Sequence, residues 1–194
     1  MNRRQAGEDF YFIQKLVPGG GYFNLNSTTV FPSSRISSRV PFGTGASIGK
    51  LTDYSSTTLL TYNLQAFKEL RIIFRLTENI YNIDNQEYNI CYDLLPAGIQ
   101  SFIDEEEWIE KLTEIKNNTG SLESFKKRFF DWFNMFRIVK YLNFVHSGMF
   151  EKKPVEVATL ELMQELEIAV KSKEPSELLQ TFRKLEKTSN YFSL

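Results

Sequence analysis

Apolar residues recur at helical spacing in several separate stretches of the chain. Phe10, Ile13, Leu16 and Val17 follow the acidic Gly7-Glu8-Asp9 and stop at Pro18-Gly19-Gly20-Gly21, which predicts a short helix with acids in its first turn. Farther on, Leu60, Leu64, Phe67, Leu70 and Phe74 predict a helix within residues 59–80, against which the β-branched Ile72-Ile73 argues weakly. Asp104-Glu105-Glu106-Glu107 sets carboxylates at the positive end of a helix through Trp108, Leu112 and Ile115, closed by Asn117-Asn118-Thr119-Gly120. Ser121 suits the cap of the next helix. The spacing of Leu122, Phe125, Phe129, Trp132, Phe136 and Val139 predicts that helix as one continuous rod, the longest of the chain, and Phe130, Phe133 and Phe144 widen its stripe until other helices have to cover it. Pro154 fits the first helical position for residues 155–170, and Pro175-Ser176 restarts a last helix through Leu178, Phe182 and Leu185.

One stretch reads differently. Residues 22–31 carry Phe23, Thr28, Thr29, Val30 and Phe31 between Asn and Pro, which predicts one or two short strands, and residues 35–50 read as loop. Most of the glycines and the Ser/Thr-rich runs lie before residue 55, whereas charged helical text follows it. The expected organisation is a small α/β part in residues 1–55 and a helical body of about five helices in residues 56–194, an α+β fold that is mainly α.

Composition narrows the functions. With 194 residues and 42% apolar side chains the chain can bury a sizeable core. Its 23 Lys and Arg against 24 Asp and Glu leave a net charge of −1, so there is no global basic field for nucleic acid, and a phosphate site has to be local. The single Cys91 and single His146 exclude an internal disulfide framework, Cys-rich zinc sites and multi-His metal sites, and they fit a reducing compartment. No apolar run reaches the ~20 residues of a membrane span, and MNRRQAGEDF has no apolar signal core, so the chain reads as cytoplasmic.

Two constellations bear chemistry. Glu8 and Asp9 at a helix start are ordinary capping acids on spacing alone; facing a cleft, one of them could act as a general base toward a hydroxyl. Arg35 and Arg39, followed by Val40-Pro41-Phe42-Gly43-Thr44-Gly45, are either solvated arginines on a surface loop or two guanidinium groups beside a glycine-rich backbone that could hold a diphosphate. His146 reads as a helix-end residue and Cys91 as a small core residue. Lys126-Lys127-Arg128 with Arg137 and Lys140 reads as the solvated face of the long helix, with a lipid-surface or partner role left open by the interleaved aromatics.

Arg4-Gln5-Ala6-Gly7-Glu8-Asp9-Phe10-Tyr11-Phe12, Lys15-Leu16, Thr29-Val30-Phe31-Pro32-Ser33-Ser34-Arg35 and Ser38-Arg39-Val40-Pro41-Phe42-Gly43-Thr44-Gly45 stand in order within residues 3–46. Together they resemble the acceptor-side end of a family 2 glycosyltransferase, an inverting enzyme of the GT-A fold. The resemblance implies that Asp9 is the base that deprotonates the acceptor hydroxyl, with Glu8 as its neighbour, and that Arg35 and Arg39 lie near a diphosphate leaving group. It also implies a nucleotide-sugar donor, a sugar or lipid-linked acceptor, and a divalent metal (Mg or Mn) only in the complete enzyme. The acids that would hold this metal belong to a nucleotide-binding half before the Glu-Asp pair, and no Asp-x-Asp triplet stands in this sequence. On this reading the chain is the carboxy-terminal part of such an enzyme and is inactive by itself, with peripheral membrane contact and self-association through apolar N-terminal surface as accompanying expectations. The alternative expectation is a non-enzymatic helical interaction module that uses the aromatic stripe of residues 122–144.

Overall fold

A computed structural model describes residues 8–16, 25, 27–31, 58–170 and 172–188. The chain falls into two compact units, Met1–Leu59 with Leu179–Leu194, and Leu60–Leu178. The fold is α+β and mainly α: helices carry most of the described chain, and the sheet among the described residues is one two-stranded antiparallel pair.

In the first unit, helix α1 (Glu8–Leu16) opens at the acidic pair, as the apolar spacing predicts. Phe12, Ile13 and Leu16 on it are exposed. The strands expected over residues 22–31 are not found where that segment is described: Leu25 and residues 27–31 lie in no strand, and Val30 and Phe31 are open to solvent. β-Branched and aromatic residues make a strand only where a ladder and a covered face receive them, and among the described residues neither is present here.

The second unit is built on capped amphipathic helices. The side chain of Asn63 accepts from the Gln65 N–H at 3.0 Å and starts α2 (Leu64–Asn82), whose Ala66, Leu70, Ile73, Thr77 and Ile80 are buried on one face. A 3-10 turn (Asn85–Glu87) leads to two short helices, α3 (Tyr88–Asp93) and α4 (Ala97–Phe102). Asp104 then accepts from the Glu107 N–H at 2.7 Å to cap α5 (Glu105–Asn117), which buries Trp108, Leu112 and Ile115. Ser121 caps α6 (Leu122–Trp132) through the Ser124 N–H. Phe125 and Phe129 of α6, and Phe133 just beyond it, enter a core shared with Tyr88, Ile99, Ile103 and Trp108.

The continuous rod expected from residue 122 onward is two helices. Phe133 leaves helical geometry (φ −90°, ψ 56°), and the Asn134 side chain accepts from the N–H groups of Phe136 at 3.0 Å and Arg137 at 3.3 Å, which starts α7 (Met135–Val145). An Asn amide competes with the backbone for hydrogen bonds and so favours a cap over a helix interior. Among the described residues the longest helix is therefore α2 rather than this segment. α7 buries Tyr141, Leu142 and Val145 and leaves Val139 and Phe144 exposed.

A two-residue ladder joins β1 (Leu60–Thr61) to β2 (Lys153–Pro154), with Leu60 opposite Pro154 and Thr61 opposite Lys153. Pro154 thus stands just before α8 (Val155–Glu165). That helix stops short of residue 170 because Glu167 takes a left-handed conformation (φ 56°), with the N–H of Ile168 donating to the Met163 carbonyl at 2.9 Å and that of Glu167 to the Gln164 carbonyl at 3.1 Å. This pair of bonds is the Schellman ending of a helix, here made without glycine. α9 (Pro175–Thr188) restarts at Pro175, as expected. No helix among the described residues is long and apolar enough to cross a membrane.

Candidate functional site

The sequence-derived site is placed only in part. Glu8 and Asp9 occupy the first turn of α1, where the free backbone N–H groups and the helix dipole favour negative charge. Their side chains, like all of Arg35 and Arg39, lie outside the described residues.

His146 has a fastening role. Its Nε2 accepts from the Asn63 N–H at 2.8 Å, which requires an unprotonated Nε2, and its Nδ1 then donates to the Leu142 carbonyl at 2.6 Å. Both ring nitrogens are thereby engaged, and the ring packs 5.0 Å from that of Tyr62. Cys91 is half-buried, and burial followed by the nearby Glu87 carboxylate pushes its thiol up, away from the reactive thiolate. Lys126 of the basic run pairs with Glu78 at 3.4 Å.

A buried polar contact crosses the core at Glu69. The Tyr141 hydroxyl donates to Glu69 Oε2 at 2.6 Å, and burial, with this bond second, pushes the tyrosine hydroxyl far up. Gly98 of α4 lies directly over the pair: a Cβ there would collide with Glu69 Oε2 and lie 3.1 Å from the Tyr141 hydroxyl. This is a packing contact that fastens α2 and α7 under α4.

The break between α6 and α7 creates a concave feature with convergent chemistry. A groove of about 410 Å³ is lined by Phe102, Trp132, Asn134, Phe136, Arg137 and Lys140. The Arg137 guanidinium stands 4.7 Å from the Trp132 ring centre and 5.7 Å from that of Phe102, and it forms an ion pair with Glu107 of α5. The two indoles of the chain differ here. Trp108 Nε1 donates to the Tyr88 carbonyl at 3.1 Å, whereas Trp132 Nε1 and Arg137 Nε are buried with no partner among the described residues. Sequence reasoning placed Arg137 and Lys140 on a solvated face and missed the groove; the signal that could have exposed it is Asn134 in the middle of an otherwise apolar-periodic stretch.

Among the described residues no three His, Cys, Asp or Glu side chains converge. No family model, no curated protein and no solved structure matches this chain.

Proposed function

We propose that the chain supplies the acceptor-side end of a glycosyltransferase that moves a sugar from a nucleotide donor to a hydroxyl acceptor. The observation that carries this reading is the ordered series Gly7-Glu8-Asp9, Thr29 to Arg35 and Ser38 to Gly45. The start of α1 at Glu8 supports it by setting Asp9 in the first turn of a helix. In the proposed step Asp9 takes the proton of the acceptor hydroxyl. The acceptor oxygen forms a bond to the anomeric carbon, the bond from that carbon to the diphosphate breaks, and the leaving diphosphate carries away the electron pair beside Arg35 and Arg39. On the same reading the protein acts in the cytoplasm, where nucleotide sugars would meet it.

The test joins the chain behind a nucleotide-binding half of the same enzyme class and compares the parent with Asp9→Asn in that context. The amide keeps the shape of the carboxylate and cannot take a proton, so transfer is expected to fall ~10²–10⁴-fold while nucleotide affinity holds. Full transfer by the variant moves the base role away from Asp9, and lost nucleotide binding makes its role structural.

The interaction-module reading draws on a smaller surface than the sequence suggested. Phe125, Phe129 and Phe133 are buried in the core, which leaves Phe130, Val139 and Phe144 as the exposed part of the stripe.

A further inference from the structure

We propose that the groove at the α6–α7 break binds a small amphipathic anion, a carboxylate or phosphate group carried on a flat apolar body. This proposal is independent of the glycosyltransferase reading, since it uses only residues of the helical unit. The groove's volume of about 410 Å³ lies in the range of small-molecule sites, roughly 300–1,000 Å³. Its apolar walls are the rings of Phe102, Trp132 and Phe136.

The polar groups that remain are donors. The Asn134 side-chain oxygen is already spent on the N–H groups of Phe136 and Arg137, and its amide nitrogen donates to the Asp131 carbonyl at 2.9 Å. Among the described residues no acidic side chain lines the groove. Arg137 gives one guanidinium nitrogen to Glu107, while its Nε and the Trp132 Nε1 have no partner among the described residues, and the exposed Lys140 pairs with no acid among them. A neutral sugar needs acceptors for its hydroxyl protons, and among the described residues no side chain lining the groove has one to spare. An acceptor-only group suits it: buried donors without partners carry a desolvation penalty that an oxyanion removes, and because both atoms are buried their side chains have to turn toward it on binding. The aromatic rings then take the apolar body.

The two indole N–H signals of the ¹⁵N-labelled full chain, assigned with Trp132→Phe, report the binding directly. Titration with phenyl phosphate is expected to shift the Trp132 indole signal saturably and to leave that of Trp108, which is bonded to the Tyr88 carbonyl, in place. Lys140→Glu changes an exposed side chain and is expected to leave the melting temperature unaltered while weakening binding about tenfold or more. Phenol, the body without the charge, and inorganic phosphate, the charge without the body, are each expected to bind at least about tenfold more weakly than phenyl phosphate. The proposal is overturned if the Trp132 signal does not saturate by about 10 mM phenyl phosphate, if Lys140→Glu binds as tightly as the parent, or if either control matches phenyl phosphate.

Discussion

Residues 122–132 and 135–145 carry one apolar stripe in the sequence, and its two halves meet different fates. In α6 most of the stripe enters the core: Phe125 and Phe129 are fully buried, Phe133 follows them in at 1% exposure, and Phe130 alone of these rings stays exposed. In α7 the continuation of that stripe turns outward, with Val139 at 38% and Phe144 at 44% exposure, and a different set, Tyr141, Leu142 and Val145, takes the inner face. Periodicity therefore assigns a face only while the helix is unbroken. Once Asn134 restarts the helix, the angular register is set afresh by what α7 packs against, and the offset opens the groove between Trp132 and Phe136.

The strongest test measures this contrast head on. Phe129→Ala removes a fully buried ring packed among Phe125, Trp132 and Phe133, and urea melts are expected to show a loss of ~3–5 kcal/mol. Val139→Ala, one position of the same apparent stripe, is expected to cost under ~1 kcal/mol. Equal losses would return the two halves to a single buried face.

Alkali separates inner from outer positions in a second way. Burial, helped by Cys91 and Asp84, pushes the Tyr88 hydroxyl from 10 up to about 12. The folded protein then holds that proton more tightly than the unfolded chain, so the contribution is intact below pH 10 and is lost as pH rises from 10 through about 12. The expected loss is on the order of 2–3 kcal/mol, read from melts across that window and reduced in Tyr88→Phe.

Gly98→Ala tests the inner contact of α7. The added methyl group meets Glu69 beneath the Tyr141 bond, and a cost of ~1–3 kcal/mol is expected from overpacking. Wild-type stability in that variant would show that α4 can lift from the pair freely.

The mildest test concerns the break itself. Asn134→Ala removes a side chain that accepts from two backbone N–H groups, and a loss of ~1 kcal/mol is expected in the melt. A gain in stability with added helical signal would mean that the continuous rod competes with the broken one.

Local features were the legible ones. The acidic start of α1, the Asp104 cap with three glutamates behind it, Ser121 before α6 and Pro175 at the head of α9 all act within a few residues of themselves, and each appears where the pattern placed it. Residues 85–102 gave no such signal. α3 and α4 have six residues each, too short for a periodic stripe, and they owe their place to the burial of Tyr88 and Ile99 in a core assembled from distant helices. The candidate acids Glu8 and Asp9 were legible for the same local reason, whereas the groove was not: its lining comes from α4, α6 and α7 together.

Neighbouring residues set where the helices begin, because a cap is a bond between neighbours, and the chain's own pattern required a mainly α molecule with apolar faces to hide. Which faces those became was settled by packing between segments far apart in the chain. The Tyr141 hydroxyl reaches Glu69 across 72 positions, His146 takes the Asn63 N–H across 83, and β1 pairs with β2 across all the helices between them. Such contacts leave no mark in local spacing, since the residues that make them are ordinary until packing brings their donors and acceptors within reach.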